Sequence, residues 1–162
     1  MIYISDKAKI SGLADIEDSV RGSKISVGDF SQIDSFVKVK PAGGSGNLVI
    51  GEYSYINSGC VLYLGNGITI GNHVLIAANC TLAPVNHAYK KRDVLIRDQG
   101  FGPSRGGIVI EDDVWIGVGV TILDGAHIGR GAVIGAQSLV AGEIPPYSIC
   151  YGVPAKIQGY RE

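Results

Sequence analysis

The side chains able to move protons or attack carbonyl groups are few in this 162-residue chain: the histidines His73, His87 and His127, and the cysteines Cys60, Cys80 and Cys150. A neutral imidazole titrates near 6.5, close to ordinary working pH, which suits a general base. His87 differs from the other two in its setting. It follows Asn86 and stands at the start of a stretch from Ala83 to Gly107 that carries Tyr89 and Phe101. The same stretch holds Lys90, Lys91, Arg92, Arg97 and Arg105, offset by Asp93 and Asp98. The three histidines lie far apart with different neighbours, so no metal site is expected from them. An odd number of cysteines argues against a disulfide framework.

What must position His87 is a repeat. An aliphatic residue recurs every six positions at Ile4, Ile10 and Ile16, then at Val27, Ile33 and Val39. The series resumes at Ile50, Ile56 and Leu62, shifts to Ile70, Ile76 and Leu82, and then runs unbroken through Ile110, Ile116, Ile122, Ile128, Ile134 and Val140. The following position is often glycine (Gly28, Gly51, Gly71, Gly117, Gly129, Gly135), read as supplying positive φ or close approach at corners. The fourth position after each aliphatic is small or β-branched, from Ala8, Ala14 and Val20 to Ala126, Ala132 and Ser138. A period of six fits neither a helix nor a simple alternating strand. It fits a chain that turns a corner every six residues, so that three sides make a coil of about 18 residues stacked as parallel sheet. A β-sandwich would give a period near two. Cys60 and Cys80 occupy small-residue slots and read as packing, whereas Cys150 falls outside the repeat.

The pattern breaks at Lys40–Asn47, at Gly65–Ile68 and over the long stretch 83–107. A loop of that length in a compact domain is usually functional or disordered, and its histidine and aromatics favour function. Pro145 and Pro146 are expected to stop the coil, leaving a tail over 144–162 that caps the open sheet edge. The whole chain, 1–162, reads as one all-β domain. A net charge of -1 implies no field that would recruit nucleic acid. The longest apolar run, Val114 to Leu123, is interrupted by Gly117 and Gly119 and is too short to span a membrane. The start of the chain lacks a secretory pattern, and with the cysteine count this points to a cytoplasmic setting.

The stretch Ile108–Gly129 and the ending Ala141–Lys156 closely resemble the hexapeptide-repeat acyltransferase superfamily. Asn86-His87, Val114-Trp115-Ile116-Gly117 and Gly152-Val153-Pro154-Ala155-Lys156 are similar to the group of maltose, galactoside, serine and surface-polysaccharide O-acetyltransferases. The resemblance implies a left-handed parallel β-helix, a homotrimer with active sites between subunits, and acetyl-CoA as donor. It makes His87 the catalytic base; the neighbouring Asn86 could hydrogen-bond the acceptor or be an ordinary turn residue. It puts the pantetheine arm along Trp115, Gly117, Gly119 and Ala136, and the adenine and phosphates near Pro154, Lys156 and Arg161. Repeats that begin at Ile4 leave no room for the helical N-terminal segment of maltose-type and serine-type relatives. That moves weight to a hydroxyl of a sugar in polysaccharide or glycolipid assembly. N-acetylation of an amino sugar, a xenobiotic acceptor and a non-catalytic scaffold are the alternatives. The basic residues of the loop could meet an anionic acceptor such as a nucleotide sugar, or form a solvated face.

Overall fold

The computed structural model describes every residue, Met1–Glu162, and forms a three-sided parallel β-helix. Successive hexads fall on successive faces. The first face stacks Ile2–Ile4, Ile25–Val27, Leu48–Ile50, Ile68–Ile70, Ile108–Ile110, His127–Ile128 and Glu143–Ile144. The second runs from Lys9–Ile10 to Ser148–Gly152, and the third from Asp15–Ile16 to Leu139–Val140. Every pairing is parallel except the last, where Ala155–Tyr160 folds back antiparallel on Ser148–Gly152.

The repeated aliphatics become three ladders. On the third face Ile16, Val39, Leu62, Leu82, Ile122 and Val140 are register partners in turn. The second face runs Ile10, Ile33, Ile56, Ile76, Ile116, Ile134 and then Cys150. From Ile25 to Cys150 these side chains lie in one buried cluster. Each fully buried Ile, Leu or Val contributes about 1.5–3 kcal/mol over an exposed one. The small-residue slot sits at the corners, and its serines do more than fit: Ser54 Oγ donates to the Gly71 carbonyl at 2.8 Å and accepts the Val74 N–H at 3.0 Å.

Three details depart from the expectations. Cys150 belongs to the repeat, since it stacks on Ile134 with no exposed surface. Val20 is 99 % exposed, because the corner between Ile16 and Ile25 is longer than a hexad and carries it out of the lattice. Pro145 and Pro146 do not end the coil. They form an ordinary corner, with the Tyr147 N–H donating to the Arg130 carbonyl, and the chain lays one more strand on the second face before turning back. Of the two roles expected for the glycines after the aliphatics, close approach is the one they serve: a Cβ on Gly117 would sit 2.6 Å from the Ala136 nitrogen in the next coil. Positive φ falls two positions later, often at non-glycine residues such as Phe30, Tyr53 and His73.

Candidate active site

The three breaks in the repeat share one place. Residues 41–47, 64–67 and 84–107 all connect the third face to the first, so they stack on one corner of consecutive coils. Glycines let them stack closely: a Cβ on Gly43 would run into Val85, and one on Gly65 would lie 2.6 Å from the Pro84 carbonyl oxygen. The long excursion therefore starts from a seat made by the two shorter ones.

The excursion is clamped at its root. The Ala88 N–H donates to the Gly100 carbonyl at 3.0 Å, and the Gly102 N–H to the Asn86 carbonyl at 2.7 Å. His87 and Phe101 thereby become bridge partners, and their rings lie 5.0 Å apart at 34°. Beyond the clamp, the Gln99 amide accepts the Lys91 N–H at 3.1 Å and donates to the carbonyls of Lys91 and Val94 at 2.9 and 2.8 Å. The return is latched by Asp124, only 2 % exposed, whose oxygens accept the N–H groups of Arg105 at 2.8 Å and Gly107 at 2.9 Å. The Asn66 side chain also donates to it, at 3.1 Å. Gln99, Asp124 and Asn66 were not marked out by the sequence pattern. The one signal was that Asp124-Gly125 breaks an otherwise apolar run at a corner.

Between clamp and latch lies a cleft of about 450 Å³, lined by Asn86, His87, Tyr89, Lys90, Lys91 and Arg105 among others, with Leu123 of the third face as its floor. His87 is exposed at its edge. The arrangement offers a base, an amide neighbour and cations around a space of small-molecule size.

The remaining residues marked out by the sequence lie elsewhere on the coil. Trp115 stands on the second face, 54 % exposed, beside a shallow groove of about 310 Å³ with His73, Asp113 and Arg161. Gly117 and Gly119 form the corner between second and third faces, against Ala136 and Gln137 of the next coil. Pro154 and Lys156 belong to the terminal hairpin, where Lys156 pairs with Tyr151. Arg161 is already engaged, donating to Asp113 at 2.9 Å and to the Gly131 carbonyl at 3.0 Å. No single cavity joins this group to His87; the third face separates the two corners.

His127 and the pair Cys60 and Cys80 are committed to structure. Both ring nitrogens of His127 face carboxylates, Glu111 at 2.8 Å and Glu143 at 3.2 Å. The Glu111 hydrogen bond raises the His127 pKa and lowers that of Glu111. Cys60 and Cys80 are buried neighbours, and the adjoining sulfur together with burial pushes the Cys60 thiol well up, away from nucleophilic character.

Comparison with known proteins fits this geometry. Residues 107–142 match the family model described as bacterial transferase hexapeptide (six repeats). A Mycobacterium tuberculosis protein named a probable acetyltransferase is 31% identical over 162 residues, 100% of this chain and 51% of that protein. The galactoside O-acetyltransferase of Escherichia coli K12 is 36% identical over 115 residues, 68% of this chain and 53% of that protein. An N-acyltransferase from Bacillus cereus, AntD, solved as a mutant with dTDP-4-amino-4,6-dideoxyglucose and coenzyme A, superposes with a TM-score of 0.83. It is 26% identical, with 99% of this chain and 84% of that one covered. The chain thus spans about half the length of the curated relatives it matches. With repeat, coil and relatives in agreement, the chain is a left-handed β-helix of hexapeptide repeats and is similar to hexapeptide-repeat acyltransferases. No helix in it is long and apolar enough to cross a membrane.

Proposed function

We propose that this protein is an acetyl-CoA-dependent O-acetyltransferase acting on a hydroxyl of a sugar or surface-polysaccharide precursor, with His87 as general base. The observation that carries the reading is the exposed His87 at the edge of a 450 Å³ cleft, clamped at the root of the one long excursion from the coil. In the proposed step the imidazole takes the proton of the acceptor hydroxyl while its oxygen attacks the thioester carbonyl. The tetrahedral intermediate collapses, the carbon–sulfur bond breaks, and the imidazolium returns the proton to the leaving thiolate; no acyl-enzyme forms. A backbone N–H of an adjacent subunit's coil would stabilise the oxyanion.

Asn86, beside His87 in the lining of the cleft, would orient the acceptor. Trp115, Gly117, Gly119 and Ala136 would carry the pantetheine arm, with Pro154 and Lys156 toward the phosphates and Arg161 held there by Asp113. These groups and His87 sit at different corners of one chain, so a site that uses both requires a neighbouring copy, which supports a homotrimer. A cytoplasmic setting fits three free, buried thiols.

An amine acceptor is the second reading, favoured by the structural likeness to an N-acyltransferase solved with an amino sugar nucleotide. Both are tested by following thiol release from acetyl-CoA with sugars, amino sugars and nucleotide sugars, with His87→Ala in parallel. Acceptor-dependent release that vanishes in the variant supports the assignment. Near-normal turnover by His87→Ala sinks it, and an absence of both release and coenzyme binding points to a non-catalytic β-helix.

A further inference from the structure

The cleft around His87 carries an unbalanced charge. Lys90, Lys91 and Arg105 line it, and no Asp or Glu does. The chain as a whole has a formal charge of -1, so three cations around one cleft do not reflect a basic protein. Elsewhere Lys7 pairs with Asp29, Lys38 with Asp15, Arg130 with Asp112 and Arg161 with Asp113, all within 3 Å, while Lys9, Arg21, Lys24, Arg92 and Lys156 are unpaired, so what sets the cleft apart is that three cations share it. Lys90, Lys91 and Arg105 make no such pair.

Two carboxylates near the cleft, Asp124 and Asp98, are engaged by other groups. Asp124 is buried and filled by the backbone N–H groups of Arg105 and Gly107 and by the Asn66 amide. It fixes the main chain of Arg105 without meeting its guanidinium, whose stem lies over Gly125. Asp98 faces Arg97, outside the cleft. Gln99 does for Lys91 what Asp124 does for Arg105, holding its N–H and carbonyl in place. Two of the three cations therefore project from backbone tied down by dedicated side chains. Tyr89, 67 % exposed, lines the same cleft and adds an aromatic surface.

We infer that the cleft recognises an acceptor carrying a phosphate or diphosphate, and that Arg105, Lys91 and Lys90 are the residues that select it. This deepens the acetyltransferase reading and rests on it. Arg105 offers a planar fork able to grip a phosphate bidentately, while the lysines act as point charges. The structure also divides the basic cluster of the loop: Arg92 and Arg97 lie outside the cleft and have no part in the recognition.

The experiment measures direct binding first, by calorimetry with the wild-type protein and no donor present, using glucose, glucose 1-phosphate and dTDP-glucose. The expected result is binding of the phosphorylated probes that is at least about tenfold tighter than that of glucose and weakens with added salt. Arg105→Gln and the double variant Lys90→Gln/Lys91→Gln should each lose about tenfold or more, Arg105→Lys should recover part of the loss, and Arg92→Gln should bind as wild type. Tighter binding of dTDP-glucose than of glucose 1-phosphate would assign the selected group to a nucleotide sugar, and equal binding to a sugar phosphate. Equal binding of all three probes, no binding of either phosphorylated one, or an equal loss in Arg92→Gln overturns the inference. Acetyl-CoA titrated separately distinguishes the two levels: failure to bind it, with phosphate-selective binding intact, defeats the acetyltransferase reading alone.

Discussion

His127 and His87 show how differently the coil and its excursion treat the same side chain. His127 lies on the first face, where fixed register brings Glu143 directly beside it and Glu111 next to it. Both ring nitrogens meet carboxylates, and only the imidazolium can donate to both at once. The coil has turned that ring into a cross-brace. His87 hangs from a two-strand clamp, touches Phe101 and opens on a cleft whose charged lining is entirely basic. A lattice that repeats every coil saturates its side chains with neighbours above and below; chemistry needs a residue outside that lattice but fixed to it.

Removing each ring in turn separates the two regions most sharply. His87→Ala is expected to lower turnover by about 10²- to 10⁴-fold, the usual worth of a general base, while His127→Gln leaves kcat unchanged in the thiol-release assay. Within the coil, Ile122→Ala should cost about 2–5 kcal/mol in urea unfolding, because Ile122 is fully buried mid-ladder. Ile4→Ala, in the open first coil where the side chain is 38 % exposed, should cost about 1 kcal/mol or less. Asp124→Ala belongs to the boundary between the two regions. It leaves buried N–H donors unmatched, so a loss of about 1–3 kcal/mol is expected, together with weaker acceptor binding as the latch opens.

The smallest effect is the pH response of His127. Its folded pKa is raised, so its stabilisation is complete below about 6.5, the unfolded value, and is lost as pH rises through the folded pKa. Glu111 has the opposite shift, and its share is present above its unfolded value near 4.5 and lost as pH falls through the lowered one. His127→Gln should therefore lower Tm near pH 6 and converge with wild type at alkaline pH. With both side chains about two-fifths exposed, solvent screening holds the difference to roughly 0.5 kcal/mol or less.

The fold was legible because six-residue periodicity survives in the sequence wherever a side chain enters the core. Ile4, Ile10 and Ile16 already name the three faces, and their partners above follow by counting. Counting failed at Val20 and Cys150 for the same reason, since corners of irregular length shift the frame without leaving a mark on composition. The site was half legible. His87 could be found as the histidine outside the frame, but the clamp partner Gly100, the staple Gln99 and the latch Asp124 act through backbone groups that no residue type advertises. Nor could spacing reveal that Lys90, Lys91 and Arg105 converge while Arg92 and Arg97 do not.

The excursion also has a consequence for how the chain reaches its native state. Ladder neighbours are ordinarily about twenty positions apart, as Ile50 and Ile70 are, but Ile70 must find Ile110. Doubling a loop adds only about 0.6 kcal/mol to its closure cost, so the cleft comes at little expense in equilibrium stability. In time it costs more, because the longest-range pairing is the seam at which two locally assembled stacks must dock. Residues 1–83 and 108–162 are then the natural halves of the molecule. Limited proteolysis within the exposed stretch 90–98 should leave them associated under native conditions and make their rejoining after denaturation depend on concentration.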